Sequence, residues 1–356
     1  MSVEGIAGPM ASFARAASIP DVLLNWYDRE ARVLPWRVPP GGPSPDPYRV
    51  WLSEVMLQQT TVATVTPRFA RFLERFPTVE ALAQAAPDAL MAEWAGLGYY
   101  ARARNLQAGA RAVVARGGFP RTAAELVKLP GIGPYTAAAI AAMAFGEAVA
   151  VVDGNAERVV ARLFALDEQP PALVEAVRQC LQPLVPAGRP GDFAQAVMDL
   201  GARVCRPKAP ACDRCPLAGA CQARAESRAG DLPLRKAKPE KRLLQGTAWW
   251  IEADGRVGLE RRPGRGLLGG MLGVPGTTFA PDTPFTLPFE GAWRRSPAPV
   301  RHIFTHIDLR LDVAAIRLHQ PPPWPVELAW TGTWDLTGLP SLYRKVAQQA
   351  RALLED

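Results

Sequence analysis

No run of apolar residues in this 356-residue chain reaches the roughly 18 to 20 needed to cross a bilayer, which argues against a helical membrane protein. The first 17 residues hold Glu4 early and lack an apolar stretch, so a secretory signal is not expected, and they make a poor transit peptide. The expected location is the cytosol. No internal repeat is visible, and no low-complexity tract beyond proline-rich turns such as Pro321-Pro322-Pro323. Cysteine is scarce. Five cysteines in a cytosolic protein read as thiols or metal ligands rather than disulfides. Acidic residues are the minority among the charges: 34 Asp and Glu against 41 Lys and Arg give a formal charge of +7. That excess favours an anionic partner, nucleic acid or membrane, and carries no information on fold.

The length exceeds what one compact core usually holds, so two domains are expected. From about residue 19 to 217 apolar residues recur at helical spacing. The pattern predicts helices over 50–66, 79–94, 106–115, 123–129, 135–144, 154–166, 171–184 and 193–204, most of them stopped by Gly or Pro. Residues 222–242 are rich in Arg and Lys and poor in apolar side chains, a linker composition. Beyond them the periodicity turns to that of strands, over 247–251, 257–260, 302–316 and 328–334, with a closing helix over 342–354. The division expected is a helical region over 18–221, a basic linker over 222–242, and an α+β domain over 243–356.

Cys205, Cys212, Cys215 and Cys221 form a C-x6-C-x2-C-x5-C set within seventeen residues. Two thiolates two residues apart can bind one metal centre, and the flanking pair closes a four-sulfur site. Spacing alone leaves zinc and an iron–sulfur cluster both open. Arg206, Lys208 and Arg214 are interspersed, so the site would brace a basic loop. Cys180 lies outside the set and reads as a small buried residue.

Leu129-Pro130-Gly131-Ile132-Gly133-Pro134-Tyr135-Thr136 places Gly131 and Gly133 just before a predicted helix. Glycines permit a tight turn with exposed N–H groups, and a helix start adds the positive end of its dipole, a seat for phosphate. A plain connection between two helices is the alternative. About twenty residues on, Asp153 follows an apolar run and opens the next predicted helix, with Asn155 behind it. A helix cap and a catalytic carboxylate are both compatible with that position. Glu54 lies in Trp51-Leu52-Ser53-Glu54-Val55-Met56-Leu57-Gln58-Gln59-Thr60. On one continuous helix Glu54, Gln58 and Thr61 would share a face.

These strings, with Gly96-Leu97-Gly98-Tyr99-Tyr100 and the cysteine spacing, resemble the MutY branch of the endonuclease III-like helix–hairpin–helix DNA glycosylases over residues 36–221. The resemblance implies a mainly α glycosylase region, a six-helix barrel with an iron–sulfur cluster subdomain holding [4Fe-4S] on the four cysteines. It implies that Glu54 protonates an adenine at N7 and later activates water, and that Asp153 stabilises or attacks the cationic sugar. Tyr135 and Asn155 would orient that pair. Gln58, Gln59, Thr60 and Tyr99 would fill the gap beside the orphaned purine, with Tyr99 as the wedge. Arg37 and Gln195 would touch the flipped base, and Gly131 and Gly133 the backbone. Strand-cutting relatives carry lysine where this chain has Tyr135, so base removal without strand scission is expected.

Gly266-Leu267-Leu268-Gly269-Gly270-Met271-Leu272-Gly273 and His302-Ile303-Phe304-Thr305-His306 resemble the Nudix-like C-terminal domain of the same branch. No Arg–Glu–x–x–Glu–Glu run occurs between 275 and 293, so a binding module rather than a hydrolase is expected, with Phe304, Thr305 and His306 reading 8-oxoguanine. Many relatives have serine where Thr305 stands. The implied partner is duplex DNA with adenine opposite 8-oxoguanine or guanine, bound by a monomer on the nucleoid of a bacterial cytoplasm. The rival readings are a strand-cutting glycosylase of the same fold, a non-catalytic metal-stapled DNA-binding protein, and a Nudix pyrophosphatase.

Overall fold

The computed structural model describes residues 19–234, 240–263, 266–332 and 339–355. Its contacts separate two compact units. One gathers the described residues up to 85 and those of 104–237; the other gathers 86–103 and those from 238 onward. The helices in chain order are α1 (Ile19–Glu30), α2 (Pro47–Leu57), α3 (Val62–Arg75), α4 (Val79–Gln84), α5 (Pro87–Trp94), α6 (Ala101–Arg116), α7 (Ala123–Leu126), α8 (Pro134–Phe145), α9 (Gly154–Leu163), α10 (Ala172–Leu181), α11 (Pro190–Arg203) and α12 (Gln222–Ala225). Apart from α5 and the start of α6, these build the first unit.

The expected helix over 50–66 is two helices. The chain leaves α2 at Gln58, Gln59 takes a left-handed φ of 56°, and Thr61 caps α3 by accepting from the N–H of Thr64 at 3.3 Å. Gln58 and Thr61 therefore do not extend the Glu54 face as one helix would. Pro67 does not stop α3 but lies inside it, forfeiting one ladder bond. Val65, Phe69 and Phe72 bury one stripe of that helix and outweigh the loss. The expected helix over 79–94 also splits, at Pro87, which opens α5 where its missing N–H is harmless. The helix over 171–184 ends its α-turns at Leu181 and closes with a 3-10 turn.

α8 is buried nearly all round, from Thr136 to Ala142, so its alanines form the centre against which α2 and α11 pack. Close approach matters most where α11 passes the start of α9. A Cβ on Gly201 would lie 2.6 Å from the Cβ of Asn155, so only glycine fits. Part of the basic stretch 222–242 packs on this unit: α12 buries Ala223, and Leu232 is buried with its carbonyl taken by Arg162. Arg235, Lys236 and Lys238 of that stretch, and residues 1–18, lie outside the described residues.

The second unit carries β1 (Arg242–Ala253), β2 (Arg256–Arg261), β3 (Leu272–Gly273), β4 (Arg294–Arg295), β5 (Val300–Ile303), β6 (Ile307–Leu318), β7 (Ala329–Gly332) and α13 (Ser341–Glu355). The sheet order is β3-β2-β1-β6-β4, with β5 also on β6 and β7 on β2. β1 and β6 pair in parallel from Arg242–Ile307 to Ala253–Leu318; the other pairs are antiparallel. Trp250, Leu309, Leu311 and Val313 of the sheet and Leu342, Tyr343 and Val346 of α13 form its core. The expected strand 302–316 is a hairpin. Phe304 donates its N–H to the carbonyl of Ile307 at 2.8 Å, so Phe304, Thr305 and His306 form the turn between β5 and β6. Residues 333 and 334 of the expected strand 328–334 lie outside the described residues. No helix among the described residues is long and apolar enough to cross a membrane.

Candidate active site

A cavity of about 580 Å³ opens in the first unit, lined from the 32–45 loop, α2, α8, α11 and the start of α9. Its size falls within the ~300–1,000 Å³ typical of small-molecule sites. Among the residues picked out from the sequence, Glu54, Asp153, Tyr135, Asn155, Arg37, Gln58, Thr60 and Gln195 all line it.

Glu54 sits mid-helix on α2 and is 7% exposed. Burial pushes its carboxyl up to about 7. Asp153 adds to the rise, while a hydrogen bond from Tyr135 and the charge of Arg37 oppose it. The Tyr135 hydroxyl donates to Glu54 Oε2. Burial, joined by the nearby carboxylates, holds Tyr135 well above the usual phenol range, so it remains a donor.

Asp153 is the cap of α9. Its Oδ1 accepts from the N–H groups of Asn155 and Ala156 at 3.0 and 2.7 Å, and its Oδ2 from the Asn155 side-chain amide at 2.7 Å. Cap and cavity-facing carboxylate are thus one residue. Asn155 is held in turn by Arg158, whose guanidinium donates to Asn155 Oδ1 at 2.8 Å and to the Cys205 carbonyl at 2.7 Å. Sequence reasoning missed Arg158. It also missed Asp199, which pairs with Arg37 and Arg32. An Asp inside the apolar string Val197-Met198-Asp199-Leu200, four residues after Gln195, was the available signal.

Gly131 and Gly133 lie exposed in the turn before α8. Gly131 takes φ +75°, Gly133 caps the helix, and a Cβ on Gly131 would lie 2.7 Å from the Cβ of Asn105. Gln59 is exposed and lies off the cavity. Among the described residues no lysine lines the cavity, and Lys128 is ion-paired to Glu125 at 2.5 Å. In the second unit Tyr99, at φ +47°, meets Thr305: the two hydroxyls are hydrogen-bonded at 2.6 Å. His302 packs on Phe304 with ring centroids 4.6 Å apart, and Lys241 donates to the Phe304 carbonyl at 3.1 Å.

Cys205, Cys212, Cys215 and Cys221 are all free thiols. Three of them, Cys205, Cys215 and Cys221, pack against the helical core. Burial pushes Cys215 up to about 11 and raises Cys221; Cys215 feels the charges of the other three cysteines, and Cys221 those of Cys205 and Cys212. Arg162 donates to Cys205 Sγ at 3.3 Å. Among the described residues, no three His, Cys, Asp or Glu side chains gather closely enough to hold one metal ion.

A family model described as HhH-GPD superfamily base excision DNA repair protein matches residues 52–184, and a NUDIX domain model matches 246–349. The chain is 35% identical over 378 residues to a mouse protein named adenine DNA glycosylase, covering 88% of this chain and 73% of that one. It is 35% identical to the human protein of that name, covering 85% and 67%, and 34% identical to that of Buchnera aphidicola subsp. Baizongia pistaciae, covering 69% and 70%. Among solved structures it resembles a thermostable thymine-DNA glycosylase at TM-score 0.54 and 27% identity, over 61% of this chain and 99% of that one. It also resembles endonuclease III in a non-covalent DNA complex, at TM-score 0.50 and 25% identity, over 60% and 97%. A helical unit with a glycine turn ahead of a capping aspartate, joined to a sheet unit of the NUDIX kind, fits these likenesses along nearly the whole chain: it belongs to the adenine DNA glycosylase family of helix–hairpin–helix base excision repair proteins.

Proposed function

We propose that this protein removes adenine lying opposite 8-oxoguanine or guanine in duplex DNA by hydrolysing its N-glycosidic bond, and leaves the strand intact. The observation that carries the reading is a buried carboxylic acid, Glu54, held near neutrality beside Asp153 in one cavity. A base inside a duplex is out of reach, so the adenine must be flipped into the cavity. Glu54 delivers its proton to adenine N7 and makes the base a good leaving group. The sugar then carries positive charge, which Asp153 stabilises directly or through a transient bond. Two carboxyls with separate environments serve sugar chemistry in this way. Tyr135 orients Glu54, Asn155 orients Asp153, and Glu54, now ionised, takes a proton from the attacking water. Arg37 and Gln195 line the wall that meets the base. Gln58, Gln59 and Thr60 fill the space the base leaves, Gly131 and Gly133 seat a phosphate, and Tyr99 of the second unit has the wedge role that the family resemblance implies. The lack of lysine among the described residues of the cavity lining supports hydrolysis without strand scission, since no amine there can form a Schiff base.

Cys205, Cys212, Cys215 and Cys221 would hold a [4Fe-4S] cluster. The donor set fits it: four free cysteine thiols, three of them packed on the helical core, are the ligands such a cluster takes, and the family resemblance favours it over zinc. When bound, the group braces the basic loop with Arg206, Lys208 and Arg214 against DNA phosphates. We read residues 18–221 as the catalytic region, 222–242 as the connection and 243–356 as a Nudix-like module in which Phe304, Thr305 and His306 read 8-oxoguanine. The protein acts as a monomer in the bacterial cytoplasm.

The test is adenine release from a duplex with one A:8-oxoguanine pair beside the same duplex with A:T, each split with and without hot alkali. Breakage only after alkali, only for the mispair, and lost in Glu54→Gln and Asp153→Asn, is the expected result. Breakage without alkali favours the strand-cutting rival. Tight binding with no base release leaves a DNA-binding protein and ends the enzyme reading.

A further inference from the structure

Arg37 is the cation beside Glu54, yet no ion pair joins the two among the described residues. Its charge is taken by Asp199 on α11, which is fully buried. Asp199 Oδ2 accepts from an Arg37 guanidinium nitrogen at 2.8 Å and from the Arg32 N–H at 3.0 Å, and Oδ1 accepts from Arg32 Nε at 2.6 Å. Tyr27 lies buried beside both charges, and its hydroxyl has no hydrogen-bond partner among the described residues. Glu54 faces three charged or titratable groups: Tyr135 from α8, Asp153 at the start of α9, and Arg37 from the loop before α2. Two of these, Tyr135 and Arg37, favour its anion.

A guanidinium does not give up its proton in a protein. Unpaired in a dry site, it would draw a neighbouring carboxyl into its ionised form. Paired with a carboxylate, it presents little net charge. We propose that Asp199 is a positioning residue that keeps Arg37 paired away from Glu54, so that Glu54 retains the proton it delivers. The inference rests on the reading of Glu54 as the acid.

The experiment follows the Glu54 carboxyl of the full chain by difference infrared titration, its band assigned by its loss in Glu54→Gln, alongside single-turnover adenine release across pH. In Asp199→Asn the titration midpoint should fall by about one pH unit or more. Release at pH 8 should then drop at least about tenfold, with a much smaller loss at pH 5.5. In Asp199→Asn/Arg37→Met the midpoint should return to the wild-type value or above. A rate loss equal at every pH with an unmoved midpoint would mean a purely structural role and overturn the proposal. If Asp199→Asn does not fold, Asp199→Ser decides: it too removes the partner charge of Arg37, the midpoint should fall likewise, and an unmoved midpoint overturns the proposal. A wild-type chain that releases no adenine sinks the enzyme reading, while the infrared midpoints still decide the part of Asp199.

Discussion

In the first unit the proposed acid and two of the charges that shape the fold are withdrawn from water: Glu54 is 7% exposed, and Asp199 and Arg162 are buried with their charged groups hydrogen-bonded. In the second unit the candidate recognition groups stand outside. Tyr99 is 50% exposed, and Thr305 and His306 lie at the tip of a hairpin. On the proposed reading the difference follows from what each unit is asked to do. A carboxyl must leave water to hold its proton at neutral pH, because solvation favours the anion. A group that inspects a partner's surface must be reachable and can draw its selectivity from shape and hydrogen bonds.

The hardest way to break that contrast is to remove the tuned group. Glu54 lies near 7 in the fold and at the ordinary 4.5 without it. The folded value is raised, so ionisation destabilises the fold as pH climbs from 4.5, and the penalty is complete above about 7, reaching about 3 kcal/mol. Glu54→Gln should therefore raise stability at pH 8 by about 2–3 kcal/mol in urea titration, while single-turnover adenine release falls about 10³-fold. A variant both destabilised and inactive would show that burial serves packing instead.

The pH profile of the wild type tests the same point without mutation. Release should fall about tenfold per pH unit on the alkaline side of about 7, as the acid form of Glu54 runs out. A limb near 4.5 would mean that the carboxyl behaves as a solvated one. Next in size is the packing that holds the site. Gly201→Ala forces a methyl group against Asn155 and should cost about 1–3 kcal/mol in a thermal or urea melt. Its activity should fall more than its DNA affinity, since Asn155 bonds Asp153. The smallest effect belongs to the exposed tip. Thr305→Ala should lower the preference for 8-oxoguanine over guanine about two- to tenfold, the scale of one hydrogen bond. It should leave the Glu54 limb where it was. A shifted limb would erase the division of labour between the units.

The same contrast explains what the sequence disclosed. The buried unit was legible through its punctuation: Gly131, Gly133 and Asp153 announced a turn and a helix start, and the cysteine spacing announced a four-thiol set. Helix boundaries failed where one residue had two readings. Pro67 reads as a stop, but the stripe of Val65, Phe69 and Phe72 carries α3 through it. Thr60-Thr61 reads as helix interior, but Thr61 caps the next one. The hairpin at Phe304 was hidden because period-two alternation runs on both sides of it. Asp199 escaped because its importance lies in partners roughly 160 residues away in sequence, which no local pattern encodes, and Arg158 because its bond to nearby Asn155 is fixed by a second one to the Cys205 carbonyl, roughly 50 residues on.

Asp153 both caps α9 and, on the proposed reading, supplies the charge beside the reacting sugar. Asparagine is also a good cap, so a chain carrying Asp153→Asn would keep the backbone cap of α9 and lose the charge, at the cost of the hydrogen bond that Asp153 now accepts from the Asn155 side chain. Such a lesion would escape cellular quality control, which senses unfolding and not silence.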